Sequence, residues 1–265
     1  MEHLTKVQLQ NRMKNNFVNI DNPDLYIYRV FKVNRLIEMF KTKKLVLVKP
    51  ELWDDPFENF LIKSSTHLPS GGIMSFRGVA DRFYGQCWTL NQESDAMWRI
   101  YSPDKNGVKV KTTIRRLYEA IYNPNKAFTS LSYYIGKVMY MTEEEIRKMF
   151  ADPDFVTPTV LDHSGLGQVL TLLLKREAFE HEKEVRLVYR ETTDRYKKDQ
   201  NTIEFDIDPN TLFDEIMFDP RMSKTDYEMY SNEIKRCSFT KPISQSTLYQ
   251  APNLKINIYA QSSVY

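Results

Sequence analysis

Short apolar segments of the strand type alternate with helical segments along this chain, and their order follows no regular strand–helix–strand period. A regular period would predict a doubly wound parallel sheet, whereas an irregular order is typical of α+β proteins. The predicted strands outnumber the long helices, and no repeat is visible at periods of roughly 20–50 residues. We therefore predict an α+β fold in which a mixed sheet core carries short helices.

The sequence shows no internal domain boundary. At roughly 150 residues per domain, a length of 265 residues allows one or two domains, but no linker rich in Pro, Gly or Ser divides the chain. Residues 1–22 are polar and are predicted to be a leader, and residues 23–265 are predicted to form a single domain of catalytic type. Hydrophobic residues make up 42% of the chain and aromatic residues 13%, which is enough for a substantial core.

The charge balance and the cysteines limit the partners and the compartment. The chain has 37 Lys and Arg against 35 Asp and Glu, and a net charge of +2 argues against a dedicated basic nucleic-acid-binding module, although it permits a local basic groove. Cys87 and Cys237 have no zinc-site spacing, and the N-terminus has no apolar signal-peptide region. With no run of about 18 apolar residues, we predict a cytoplasmic protein with reduced thiols and no membrane association.

Hydrophobic periodicity and turn residues give a provisional set of elements. The predicted strands cover residues 25–30, 45–48, 85–90, 107–111, 137–141, 184–189, 202–207, 212–218 and 245–249. The predicted helices cover residues 35–41, 93–101, 114–122, 143–150, 165–180 and 223–236.

Carboxylates crowd the segment that follows the second predicted strand. Asp54, Asp55 and Glu58 lie within five residues, and Trp53 and Phe57 flank them. Like charges held together repel one another unless a cation, an arginine or water relieves them. The segment is compatible with a functional carboxylate site. It is equally compatible with a turn in which Asp55 accepts backbone hydrogen bonds and the two rings anchor the loop.

Large rings and small polar groups gather around a later strand and the helix that follows it. Trp88 and Thr89 lie near the end of the strand, and the helix carries Met97, Trp98 and Tyr101 at helical spacing. Such a set can form a slot that binds a flat ring by stacking and orients it with a hydroxyl group. Ordinary core packing would explain the same pattern, and both interpretations stay open.

Charged residues alternate at the start of the predicted strand near residue 184. The side-chain period of two puts Glu182, Glu184 and Arg186 on one face, and Lys183 and Val185 on the other. A guanidinium two residues away can fix the rotamer of a carboxylate, and a fixed carboxylate can orient a ribose or stabilise a developing cation. The alternative is an edge strand whose charges face water.

Taken together, these segments resemble a bacterial protein family that has no established activity. The matching segments are 25–30, 54–58, 87–89, Met97-Trp98 with Tyr101, and 182–186, within a match that spans about residues 24–250. The turn Asp-Asp-Pro-Phe-Glu and the Met-Trp-x-x-Tyr pattern are its most specific parts. The chain departs from the family pattern at Trp88-Thr89, where Phe-Ser is usual, and at Phe179, where Trp is usual.

The layout of that family is similar to the ADP-ribosyltransferase superfamily, and especially to the DNA-modifying toxins of toxin–antitoxin pairs. Those toxins begin with a strand that bears His or Arg, continue through a Met-containing strand and helix, and end in a Glu-Val-hydrophobic strand with the catalytic Glu. The matching residues here are Arg29, Met97-Trp98 and Glu184-Val185-Arg186-Leu187.

This resemblance implies cleavage of the nicotinamide–ribose bond of NAD and transfer of ADP-ribose to a macromolecule, with nucleic acid favoured over protein as the acceptor. It implies Glu184 as the catalytic residue, which stabilises an oxocarbenium-like transition state. Arg29 would hold the pyrophosphate or the adenosine ribose through its planar guanidinium, and Trp98 or Tyr101 would wall the nicotinamide. The resemblance also implies a toxin or anti-phage defence role with an antitoxin partner.

The other residues that we assign to the site have lesser roles. The further NAD-binding residues are Trp88, Thr89 and Met97, and the supporting residues are Asp55, Glu58, Glu182 and Arg186. The four histidines show no metal-ligand spacing, so no metal is assigned.

Two other functions stay open from the sequence. A metal-dependent nuclease would gather Asp54, Asp55, Glu182 and Glu184 around Mg²⁺, although Lys183 would then lie on the opposite strand face from both glutamates. A non-catalytic nucleotide-binding or interaction domain would use the aromatic slot alone.

Overall fold

The computed structural model describes residues 16–53, 65–67, 73–75, 81–125, 129–193, 196–197 and 199–255. The strands are β1 (Phe17–Val18), β2 (Tyr26–Lys32), β3 (Lys44–Val48), β4 (Ser65–His67), β5 (Ile73–Ser75), β6 (Phe83–Thr89), β7 (Gly107–Thr113), β8 (Tyr133–Lys137), β9 (Met139–Met141), β10 (Leu174–Arg176), β11 (Glu184–Arg190), β12 (Thr202–Asp206), β13 (Glu215–Phe218) and β14 (Ile243–Gln245).

Eight α-helices lie between these strands in the described ranges. They are α1 (Val33–Thr42), α2 (Asp95–Tyr101), α3 (Ile114–Ile121), α4 (Glu143–Ala151), α5 (Pro153–Val160), α6 (Leu166–Leu172), α7 (Pro209–Leu212) and α8 (Lys224–Arg236). Short 3₁₀ turns cover Pro50–Leu52, Thr129–Leu131 and Glu177–Glu182.

Ten strands form one sheet, whose main path has the order β1-β8-β11-β6-β2-β7-β13-β14. β3 branches from β6, and β12 pairs with β3. The pairs β1–β8 and β13–β14 are parallel, whereas β11 runs antiparallel to both of its neighbours. The predicted α+β class, with a mixed sheet and short helices, is confirmed.

β6 changes its neighbour along its length, and this creates a fork in the sheet. It pairs with β3 through Gly85 and Val48, and with β2 through Thr89 and Tyr28. β2 and β3 lie on the same side of β6, and each of them pairs with β6 through one residue only. The two strands therefore diverge from each other on that side. The sheet therefore opens beside the second half of β6.

The interior strand β11 shows how the sheet buries both faces. Val185, Leu187 and Tyr189 belong to the larger apolar cluster, which also contains residues of α1 and α3. Glu184 and Arg186 point to the opposite face and are 5% and 0% exposed. Since β11 lies between β6 and β8, the alternative of a water-facing edge strand is wrong.

The predicted helix over residues 165–180 is wrong after its first half. The helix ends at Leu172, the chain enters β10, and the 3₁₀ turn Glu177–Glu182 follows. β10 pairs in parallel with β9, and the Met139 N–H donates to the Leu173 carbonyl at 2.7 Å. Pairing with a distant strand thus overrides the helical propensity of the leucine-rich run.

Other boundaries also differ from the prediction. The strand predicted over 137–141 is divided into β8, which begins at Tyr133, and β9. The strand predicted from residue 212 begins at Glu215, because α7 precedes it, and the last strand ends at Gln245. Helix α5 had no counterpart among the predicted elements.

The predicted polar leader, residues 1–22, contains a strand of the sheet. Phe17 and Val18 pair in parallel with β8, and the buried Asn16 donates from Nδ2 to the Ser130 carbonyl at 3.0 Å. The division into a leader and one catalytic-type domain over 23–265 stays a prediction. Among the described helices, none has the length and apolarity needed to span a membrane.

Candidate active site

A cavity of about 370 Å³ lies where β2 and β6 meet. Its volume is near the lower end of the roughly 300–1,000 Å³ of small-molecule sites. Residues of β2, β6, α1 and α2 line it, together with the start of β11. Seven residues assigned from the sequence therefore face one cavity: Arg29, Trp88, Thr89, Met97, Tyr101, Glu182 and Glu184.

Glu184 is held in one orientation at the start of β11, opposite Thr89 of β6. Its Oε2 accepts hydrogen bonds from Arg186, at 2.9 Å from Nε and 2.5 Å from Nη2. The same oxygen lies 3.6 Å from Nζ of Lys175. Within the described residues, Oε1 accepts no hydrogen bond, so one oxygen of a fixed carboxylate is available to a ligand.

Lys175 links Glu184 to the second carboxylate of the site. Its side chain is buried, and its Nζ donates to Oε2 of Glu182. The other oxygen of Glu182, Oε1, accepts from the Tyr101 hydroxyl at 3.2 Å. Lys175 and Arg186 together balance the charges of the two glutamates, which relieves the repulsion between these buried anions.

Arg186 is enclosed on all sides. Its Nη1 donates to the Leu172 carbonyl at 2.5 Å, and its guanidinium carbon lies 4.6 Å from the ring centre of Trp53. Gly85 makes room for that ring, since an added Cβ would lie 2.7 Å from Cζ2 of Trp53. Trp53 thus anchors the chain at this point, whereas the roles expected of Asp55 and Phe57 in the turn fall outside the described residues.

Arg29 has no ion pair or hydrogen bond with any described residue. It is half-buried, and the ring centre of Phe31 lies 5.2 Å from its guanidinium carbon. Burial lowers the pKa of Arg29 to about 10, against weaker opposing effects of Cys87 and Tyr101. A cation that has lost water without gaining a counter-ion is costly, and an anionic ligand would relieve that cost.

The rings of the cavity are fixed by their own partners. Trp88 is buried, and its Nε1 donates to Oε1 of Gln86 at 2.8 Å. Burial, followed by the charges of Glu182 and Glu184, raises the pKa of Tyr101 well above its ordinary value. The Tyr101 phenol therefore stays protonated and can donate to Glu182.

The structure corrects the position predicted for Trp98. It is 1% exposed, packs with Val30 and Met97, and donates from Nε1 to Glu93 at 3.0 Å, but it does not line the cavity. Met97 and Tyr101 are four residues apart and share one side of α2, whereas Trp98 is turned by about 100° from Met97. Trp98 is a core residue of the wall behind the cavity.

A buried ion pair ties α2 to the residues that follow β13. Asp219 is fully buried and lies 2.7 Å from Nη2 of Arg221. Nη2 of Arg221 also donates to the carbonyls of Trp98 and Ser102 at 2.9 and 2.8 Å. Burial alone would raise the pKa of Asp219, but hydrogen bonds from Arg221 and Ser102 lower it below its ordinary value. This network holds the helix that carries Met97 and Tyr101.

The strand geometry predicted for Glu182 is wrong. Glu182 ends a 3₁₀ turn, and Lys183 has left-handed angles of φ 44° and ψ 54°, so the strand begins only at Glu184. Glu182 still reaches the same cluster, through Lys175 rather than through a shared strand face. Asp54, Asp55 and Glu58 lie outside the described residues.

Sequence reasoning missed Lys175, Tyr28 and Cys87 as residues of this site. Tyr28 and Cys87 line the cavity, and both belong to strands that the sequence did predict. Lys175 lies in β10, inside the segment predicted as helix, and no local signal distinguishes it from a surface lysine. Within the described residues, no group of three or more His, Cys, Asp or Glu could hold a metal ion.

Comparison with known proteins gave one family model and several structures. A model described as a protein of unknown function (DUF2971) matches residues 97–187, which include Tyr101, Lys175, Glu182, Glu184 and Arg186. No curated protein sequence matches the chain.

The solved structures similar to this chain include three complexes of DarT from Thermus sp. 2.9. The complex with NAD+ is 13% identical, covers 85% of this chain and 96% of that one, and has a TM-score of 0.39. The complex with carba-NAD+ is also 13% identical, covers 85% and 97%, and scores 0.37. The complex with ADP-ribosylated ssDNA is 11% identical, covers 86% and 96%, and scores 0.40.

Proposed function

We propose that this chain is an NAD-dependent ADP-ribosyltransferase that modifies a macromolecular acceptor, with nucleic acid favoured. One observation carries the proposal: Arg29, a cation without an ion pair or hydrogen bond among the described residues, lines the same cavity as Glu184, a carboxylate whose Oε1 accepts no hydrogen bond from them. NAD needs both groups, because its pyrophosphate is anionic and its reacting ribose becomes cationic. Since the DarT alignments have TM-scores of 0.40 or less, the support comes from the cavity.

The transfer breaks the bond between ribose C1′ and the nicotinamide nitrogen, and the electron pair leaves with nicotinamide. Positive charge then builds on C1′ and the ring oxygen. Oε1 of Glu184 accepts a hydrogen bond from a ribose hydroxyl and stabilises this charge, while Arg186 and Lys175 hold the carboxylate in place. The acceptor nucleophile forms the new bond to C1′, and its proton passes to solvent water.

The walls of the cavity suit the rest of the dinucleotide. Arg29 binds the pyrophosphate or the adenosine ribose through charge-assisted hydrogen bonds. Trp88 and Tyr101 enclose the nicotinamide. The family resemblance had given this role to Trp98 or Tyr101, and Trp88 replaces Trp98 in it. Thr89 and Met97 complete the walls, and Glu182 supports Glu184 through Lys175.

A nucleic-acid acceptor is favoured by the surface beside the cavity. Nζ of the half-buried Lys111 lies 4.1 Å from the ring centre of the exposed Tyr26, on the two strands β7 and β2. Rings that stack bases next to cations that meet phosphates are the usual elements of single-strand binding. A toxin or anti-phage defence role with an antitoxin partner belongs to the same proposal.

Incubation with NAD labelled in the adenylate tests this proposal. We expect nicotinamide release, and label in the nucleic-acid fraction after DNA, RNA and protein are separated. Glu184→Gln should remove both signals. Label in the protein fraction alone would retain the enzyme class and change the acceptor, whereas the absence of nicotinamide release from the wild type with every fraction would overturn the proposal.

No observation favours the nuclease. Glu182 and Glu184 are already paired with Lys175 and Arg186, so their negative charge is balanced by protein cations. Degradation of DNA or RNA that is lost on addition of EDTA and needs no NAD would support that alternative instead.

A further inference from the structure

Among the described residues, β12 is paired on one side only. It runs antiparallel to β3, and no other described strand pairs with it. The Lys49 N–H donates to the Asn201 carbonyl, and the Ile207 N–H donates to the Lys43 carbonyl, both at 2.9 Å. These bonds show that the odd-numbered positions from 201 to 207 form the hydrogen-bonded pairs with β3.

Hydrogen-bonded positions alternate along an antiparallel ladder, so the even-numbered residues direct their main-chain groups to the outer edge. The Thr202 carbonyl accepts from the Gln200 side chain at 2.9 Å. The N–H and C=O of Glu204 have no partner in the described part of the chain. Such an edge is a template for a further strand.

A second cavity, of about 1050 Å³, runs along this outer edge. Residues 203–206 line it consecutively, and Tyr122–Pro124 and Tyr133 form part of the other wall. Its described lining shares no residue with the cavity at Glu184. Glu191 of the lining follows Glu184 by seven residues, which corresponds to roughly 23 Å along an extended strand.

The inner side of β12 faces aromatic rings. The ring centre of Phe205 lies 5.1 Å from that of Tyr189 and 6.2 Å from that of Tyr133. The ring centre of Tyr122 lies 5.5 Å from that of Tyr133, and Tyr122 and Phe205 are both half-buried residues. Burial raises the pKa of Tyr133 to about 12, so its phenol is neutral. This wall suits apolar side chains.

The other side of β12 is acidic. Glu204 and Asp206 are exposed and alternate with Ile203 and Phe205. Asp206 is paired with Lys44 at 2.6 Å, whereas Glu204 has no ion pair among the described residues. The ionisable groups that line the cavity are Glu191, Glu204, Asp206, Lys197 and four tyrosines besides Tyr133.

We propose that the outer edge of β12 binds an extended peptide as an added strand. Main-chain bonds to Glu204 hold the peptide, and its side chains alternate between the two sides of β12. Apolar residues enter the aromatic cavity, and Lys or Arg residues between them lie across from Glu204 and Asp206. The acidic groups disfavour a nucleic acid at this edge. The proposal is independent of the reaction proposed above.

The acetylated, amidated hexapeptide Lys-Val-Lys-Phe-Lys-Val is a direct probe, and calorimetry measures its binding to the full chain. We expect saturable binding, at least roughly tenfold weaker for the same peptide with Glu in place of Lys. Two further peptides carry N-methyl groups, one on the amides of its Lys residues and the other on the amides of its Val and Phe residues. Methylation should abolish the binding of one of these peptides and leave the binding of the other intact, because only alternate amides of an added strand face β12.

Two variants of one exposed residue complete the test. Glu204→Pro removes an outward N–H that the β3 ladder does not use, and should abolish binding without changing the circular dichroism spectrum or nicotinamide release. Glu204→Lys should reverse the preference between the Lys and Glu peptides. Three results would each overturn the proposal. Neither the Lys nor the Glu peptide binds, the two methylated peptides bind equally well, or a folded Glu204→Pro variant binds the Lys peptide as tightly as the wild type does.

Discussion

Arg186 donates two hydrogen bonds to a single oxygen of Glu184, Oε2, from Nε at 2.9 Å and Nη2 at 2.5 Å. This contact fixes the carboxylate, yet it leaves Oε1 without a hydrogen bond from any described residue. The pair therefore supplies a preorganised acceptor at the cavity, and a ligand that reaches Oε1 breaks no hydrogen bond to a described residue.

The first prediction concerns the charge of Glu184. Glu184→Gln keeps the size and shape of the side chain, but it removes the charge that would stabilise the ribosyl cation and replaces one acceptor oxygen with a donating NH₂ group. We expect the rate of nicotinamide release from NAD to fall by about 10²–10³-fold, as measured by chromatography. Glu215→Gln, on β13 and outside the cavity, is the matched control and should retain activity. Equal rates for Glu184→Gln and the wild type would remove Glu184 from the mechanism.

Lys175 should be a determinant of stability as well as of the site. Lys175→Met leaves two buried carboxylates with a single balancing cation, so the free energy of unfolding should fall by about 3–5 kcal/mol. Urea denaturation measures this change. Lys148→Met, which breaks an exposed pair with Glu144 on α4, should have no measurable effect. Equal midpoints for the two variants would contradict the bridging role of Lys175.

Arg29 should behave in the opposite way. Because no described residue pairs with its buried cation, Arg29→Met should not lower the free energy of unfolding. NAD binding should weaken by roughly ten- to a hundredfold, the effect of losing a charged hydrogen bond worth about 1.5–3 kcal/mol. Titration calorimetry measures the NAD affinity of the variant, and thermal unfolding measures its stability. Arg147→Met on α4 is the control, and a loss of stability without a loss of NAD affinity would argue for a structural role of Arg29.

Asp219 should make the wall behind α2 sensitive to acid. Its pKa is lower in the folded state than the ordinary value of 3.8, so the unfolded chain binds its proton first as the pH falls. The stabilisation is complete well above that value and is lost as the pH falls through the lowered folded pKa. The difference in melting temperature between the wild type and Asp219→Asn should therefore shrink on acidification from neutral pH. Asp21→Asn, at an exposed position, should show no such trend.

The strands that build the cavity could be predicted because they carry strong local signals. The alternation around Val185 and Leu187 identified β11, and aromatic and branched residues identified β2. The convergence of Arg29, Trp88 and Glu184 came from a resemblance to a family, since composition and spacing say nothing about which distant strands become neighbours. The assigned roles of these residues stay predictions.

Lys175 and Trp98 show where sequence reasoning stopped. Lys175 follows a run of leucines that favours helix, and only pairing of β10 with β9 turns the chain and buries the lysine between two glutamates. Trp98 has the residue type of a ligand-binding ring, but the helix rotation that directs Met97 and Tyr101 to the cavity turns Trp98 into the core. The burial of Lys175 and the position of Trp98 both depend on tertiary packing, which a local sequence pattern does not report.

The single pair Tyr28–Thr89 is the whole ladder between β2 and β6. The half of the sheet formed by β2, β7, β13 and β14 is therefore held to the rest mainly by the larger apolar cluster, which contains Ile27 and Val110 of that half and Leu45 and Val185 of the other. Side-chain packing in this shared core, rather than strand pairing, sets the width of the crevice between β2 and β6.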